Sequence, residues 1–146
     1  MKNRNIFTLV AAPMLMLTLL ASPGLAKKAR ETQNCQAWSK GRELRCLFDN
    51  AQVPTATIRV RNTSSSTVSF SYDEWHSNCG TRGGKIESDR YENVDPGDSV
   101  EIVVLAPGRG VSCRESFITD CRRASRQVNC PDVLRAEGTL WVGNLQ

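Results

Sequence analysis

Residues 56–72 read Ala56-Thr57-Ile58-Arg59-Val60-Arg61-Asn62, then Thr63-Ser64-Ser65-Ser66, then Thr67-Val68-Ser69-Phe70-Ser71-Tyr72. Apolar and polar residues alternate on both sides of a short Asn/Ser/Thr connector. A period of two around a turn predicts a β-hairpin. Ala56, Ile58 and Val60 then share a face with Val68, Phe70 and Tyr72. A face that apolar must be covered, and the rest of the chain is expected to supply the cover.

Working outward, Lys40-Gly41 suits a two-residue hairpin turn, with Cys35 and Cys46 placed symmetrically about it. Cross-strand pairing then sets Ala37 opposite Leu44 and Trp38 opposite Glu43. Gly80-Thr81-Arg82-Gly83-Gly84-Lys85 is glycine-rich but lacks the spacing and the hydroxyl of a phosphate-binding loop, so it is a flexible connection. Ile86 to Val94 is an edge strand or an ordered loop. Asp95-Pro96-Gly97-Asp98 is a turn, because Pro presets one dihedral and Gly supplies positive φ. Ser99 to Leu105 is strongly β-prone. Val100, Ile102 and Val104 form one face, and Val103 and Leu105 imply partial burial of the other.

Val111 to Thr119 is a further strand, Arg122 to Asn129 is polar with room for one helical turn, and Pro131 to Ala136 fits a short helix or a loop. Gly138 to Val142 closes the domain. About seven short strands separated by turn signals, without a long helical period, predict an all-β antiparallel sandwich. The sequence Ile58-x-Val60-x-Asn62, Val68-x-Phe70 and Pro96-Gly97-Asp98-Ser99-Val100 resembles the pattern of bacterial immunoglobulin-like accessory domains. The resemblance implies an immunoglobulin-like sandwich and carries no catalytic signature.

Residues 1–26 read as a cleaved signal peptide. Lys2 and Arg4 are its basic start, Ile6 to Leu20 its apolar stretch, and Gly24-Leu25-Ala26 its small-residue cleavage site. The apolar stretch is too short to span a bilayer, and no later run is apolar enough. Cleavage leaves a polar N-terminal arm, residues 27–34, and one domain, residues 35–146. It lowers the formal net charge from +4 to +2, too little to imply a nucleic-acid partner. All six cysteines survive cleavage, and an even count in an exported chain predicts three disulfides. Spacing favours Cys35–Cys46 and Cys121–Cys130, which leaves Cys79 for Cys113. A zinc site is disfavoured, since there is no Cys-x-x-Cys pair and only one histidine. No metal or other cofactor is expected.

His76 is that histidine. Glu74 shares its face on an ideal strand, so a Ser-His-acid hydrolase is conceivable, although no Gly-x-Ser-x-Gly elbow supports it. The simpler expectation is a surface histidine at a strand end. Arg109, Arg114, Arg122, Arg123 and Arg126 lie close together around three cysteines. A disulfide-pinned loop holds arginines at low entropic cost, and guanidinium groups pair well with phosphate and carboxylate. Of the tryptophans, Trp141 is expected in the core, while Trp75 sits among polar neighbours as a possible binding platform. Together these features point to an exported, periplasmic or extracellular, non-enzymatic binding protein. Its partner would be a protein or an anionic cell-surface polymer. A small hydrolase relying on His76, and a secreted toxin that binds anionic surfaces through the arginine-rich loop, are the alternatives.

Overall fold

A computed structural model describes residues 28–48, 55–79, 83–105 and 111–142. The expected signal peptide, Arg109 and the tip of the glycine-rich loop lie outside them. The described chain is all-β apart from one helical turn, with two antiparallel sheets. The first has the order β1 (Lys28–Asn34), β10 (Leu134–Val142), β4 (Thr55–Asn62), β7 (Ser99–Val104). The second has the order β2 (Gln36–Trp38), β3 (Glu43–Phe48), β8 (Cys113–Arg123), β5 (Val68–Ser77), β6 (Gly84–Val94). A two-residue strand, β9 (Arg126–Gln127), adds to β8, and the helical turn α1 (Cys130–Val133) leads into β10. Among the described residues no helix is long and apolar enough to cross a membrane.

The inward faces follow the alternation. Ala56, Ile58 and Val60 of β4, Ile102 and Val104 of β7, and Leu134, Ala136 and Leu140 of β10 meet Leu44, Phe48, Val68, Phe70 and Ile118 of the other sheet. Tyr91, on the edge strand β6, stacks on Phe70 with ring centres 5.1 Å apart. On the outward face of the edge strand β7, and just beyond its end, Val103 and Leu105 are exposed rather than partly buried.

The expected hairpin between β4 and β5 is not formed. β4 pairs with β10 and β7, and β5 pairs with β6 and β8, so the connector crosses from one sheet to the other. Ala56, Ile58 and Val60 therefore face Val68, Phe70 and Tyr72 across the core instead of sharing a face with them. Alternation states which side of a strand is buried, not which sheet the strand joins. The crossing is held by Asn62, which is fully buried. Its side-chain amide donates to Ser66 O and Val94 O, both at 2.8 Å, and its Oδ1 accepts from Ser64 N at 2.9 Å and Ser64 Oγ at 2.7 Å. These bonds curl the connector over the end of the sandwich.

The segment expected as an N-terminal arm is β1. It pairs with β10 from Lys28↔Val142 to Asn34↔Glu137, with a bulge between Ala29 and Glu31. Its polar sequence hides it, because an edge strand is recruited by backbone hydrogen bonds that need no apolar side chain. The chain changes sheets at Cys35, where the backbone N–H still bonds Ala136 O at 2.9 Å, and continues as β2. There the expected register holds, with Ala37↔Leu44 and Trp38↔Glu43. Lys40 and Gly41 both have positive φ, the backbone of a tight hairpin turn. The disulfides are Cys35–Cys46, Cys79–Cys113 and Cys121–Cys130.

Candidate functional site

Beyond Cys121 the chain forms a hairpin, not a loop with a helical turn. Arg122 pairs with Gln127 and Arg123 with Arg126. The two turn residues, Ala124 and Ser125, have φ of 48° and 65°, the left-handed backbone that joins twisted strands tightly. Its base is closed by the Cys121–Cys130 disulfide and by Val128 N donating to Cys121 O at 2.9 Å. Arg122, Arg123 and Arg126 are all exposed there.

The hairpin forms one wall of a concavity of about 600 Å³, with Ser66, Thr67, Ser69, Arg90 and Asn93 on the opposite side. Arg90 comes from β6 and was not among the residues expected here. It bonds Glu92 Oε1 at 2.6 Å, Asp120 Oδ2 at 3.1 Å and Ser71 Oγ at 2.9 Å. Arg122 Nε bonds the other oxygen of Asp120 at 3.0 Å. A hydrogen bond from Ser69, and then Arg90, hold the Glu92 carboxyl below its ordinary value. Asp120 and Glu92 thus offset Arg90 and Arg122. Among the described residues Arg123 and Arg126 have no ion pair. They stand directly opposite each other, where like charges repel. An anion between them removes that repulsion.

Arg114 does not belong to this surface. It is 1% exposed and faces the core. β8 alternates regularly from Arg114 through Ser116 to Ile118, all buried, so Arg114 lies roughly 27 Å along the strand from Arg122. Sequence proximity on an extended strand is not proximity in space. Arg109 lies outside the described residues.

Arg114 instead joins a buried polar group at one end of the sandwich. On the paired strands Glu74 stands opposite Ser116 and His76 opposite Arg114. Glu74, fully buried, accepts from Tyr72 Oη at 3.0 Å and Leu105 N at 3.1 Å through one oxygen. Its other oxygen lies 3.2 Å from His76 Nε2. Tyr72 Oη also bonds Ser116 Oγ at 2.9 Å. Arg114 donates to Leu105 O at 3.4 Å, and burial lowers its pKa while Glu74 opposes that shift. His76 and Glu74 do share a face, but that face is the interior, so His76 is not a surface residue. With its side chain 8% accessible, the imidazole turns Nε2 toward the buried Glu74 carboxylate. Among the described residues no three His, Cys, Asp or Glu side chains converge as a metal-ligand set.

The tryptophans take other places. Trp141 is half-buried on the outward side of β10, its Nε1 donating to Thr57 Oγ1 at 2.8 Å, and so is not a core residue. Trp75 lies half-buried on the outward side of β5, lining a different concavity from that of the arginines. No protein family, characterised protein sequence or solved structure matches this chain.

Proposed function

We propose that this is an exported, non-enzymatic binding protein, periplasmic or extracellular, that holds an anionic group of its partner between Arg123 and Arg126. The carrying observation is the cross-strand arginine pair lining the 600 Å³ concavity: Glu92 also lines it but is bonded to Arg90, and neither Arg123 nor Arg126 has an ion pair among the described residues. A disulfide at the base and a tight turn at the tip preorganise the pair, which lowers the entropic cost of binding. Phosphate, sulfate and carboxylate all match guanidinium geometry, so an acidic protein and an anionic cell-surface polymer are both suitable carriers.

Three disulfides suit an oxidising compartment, and the pattern of residues 1–26 suits a signal for export. The immunoglobulin-like reading is part of the same proposal. In that fold the second strand neighbours the fifth in one sheet, and the third neighbours the sixth in the other. β4 with β7 and β5 with β8 follow this arrangement. The outer strands depart from it, since β10 pairs with β4 and β3 with β8.

Heparin is a suitable probe for the arginine pair. The oxidised protein, residues 27–146, is expected to be retained on a heparin column. The Arg123→Ala/Arg126→Ala variant should elute at distinctly lower salt, because about two counterion-releasing contacts are lost. Identical elution of the two proteins would remove the proposal.

A further inference from the structure

The outward face of the six-stranded sheet holds a second concavity, of about 340 Å³, lined by Glu43, Asp73, Trp75, Glu115 and Phe117. These residues come from three neighbouring strands, β3, β8 and β5. The register sets Phe117 beside Asp73 and Glu115 beside Trp75. Two large rings therefore stand on the solvent side of the sheet, away from the core, each next to a carboxylate.

The chain's own cations show what this surface accommodates. The Arg45 guanidinium lies 4.4 Å over the Trp38 ring, and its Nε is 2.9 Å from Glu115. Lys85 Nζ lies 5.8 Å from the Trp75 ring centre and 3.6 Å from Asp73. In both cases a cation is shared between an aromatic face and a carboxylate, the combination that suits ammonium and guanidinium groups. Phe117 lies between these two arrangements. The remaining carboxylate, Glu43, has no ion pair among the described residues. Burial, and then repulsion from Asp73, raise its pKa above the ordinary value. A cation arriving beside Glu43 relieves that repulsion.

We infer that this concavity receives a basic side chain, arginine or lysine, of a protein partner, laid against Phe117 and paired with Glu43. Its volume, at the small end of ligand sites, suits one such side chain. Three carboxylates against the two cations Arg45 and Lys85 leave the site negative, which selects a cation over a neutral sugar that would otherwise stack on the rings. The site shares no residue with the arginine pair and has the opposite sign, so it stands or falls separately.

The test uses the oxidised protein, residues 27–146, and a capped tetra-arginine peptide, followed by NMR of the Phe117 and Trp75 side chains. Saturable shifts at both rings are expected. Affinity should fall about tenfold in Glu43→Gln, and similarly in Phe117→Leu. It should be unchanged in Arg123→Ala/Arg126→Ala, and tetra-glutamate should leave both rings unmoved. Glu43→Gln keeps the size of a half-buried surface side chain, and an unchanged core methyl spectrum verifies its fold. Wild-type affinity in Glu43→Gln would overturn the inference. So would cellohexaose shifting the two rings while tetra-arginine does not.

Discussion

Tyr72 shows how one side chain couples the core to solvent conditions. Burial, opposed in part by the Ser116 hydrogen bond and reinforced by Glu74, pushes its phenol well above the ordinary value of 10.0. Ionisation is therefore favoured in the unfolded chain. Stability is intact below pH 10 and is lost as pH rises above it, by about 1.4 kcal/mol per pH unit for one such group. Urea unfolding at pH 9 and pH 11 should show this decline in the wild type, and a shallower decline in Tyr72→Phe. At neutral pH that variant should lose about 1–2 kcal/mol for the missing hydrogen bonds. Equal declines would mean the phenol is not the cause. The other tyrosine, Tyr91, is shifted the same way by burial and nearby carboxylates, and it accounts for a residual slope. At this scale the sequence was partly legible. Glu74 and His76 share a face, as strand geometry requires, but that the face is interior depends on sheet packing. Arg114 is close to Arg122 in sequence but buried at the far end of the same strand, because neighbours along an extended chain need not share a surface.

Elements were legible where their signal is local. The β2–β3 hairpin has a turn that only a few residues form well, and its register follows from that turn. β1 and the β4-to-β5 crossing were not legible, because one depends on an available neighbouring edge and the other on a single buried amide, Asn62. β10 shows the opposite case, a strand whose packing leaves no latitude. Gly138 faces inward against Phe48, and a Cβ there would lie 2.8 Å from Phe48 Cζ and 3.0 Å from Cε1. The ring is rigid and 1% exposed, so it cannot swing clear. Gly138→Ala should cost about 1–3 kcal/mol, and pairing it with Phe48→Leu should recover part of that loss. An unfolding midpoint equal to wild type would show that the sheets separate more easily than this packing implies.

For the molecule as a whole, alternation, turns and an even cysteine count were enough to indicate an all-β sandwich with its sulfur bridges. The partition of strands between sheets needed long-range pairing that no local pattern encodes. The bridges differ in reach. Cys79–Cys113 spans 34 residues, against 11 for Cys35–Cys46 and 9 for Cys121–Cys130. On the chain-entropy account its removal should cost roughly 1 kcal/mol more than removal of Cys121–Cys130. Denaturant unfolding of the Cys79→Ala/Cys113→Ala and Cys121→Ala/Cys130→Ala variants checks this order, and the reverse order would point to strain or residual unfolded structure. The pairing of β1 with β10 also sets an order in time. The first of the described strands to leave the ribosome finds its place only when the last has followed it. The four-stranded sheet thus stays incomplete until residues 134–142 have emerged, so its closure waits on the last of the described strands however early the others are made.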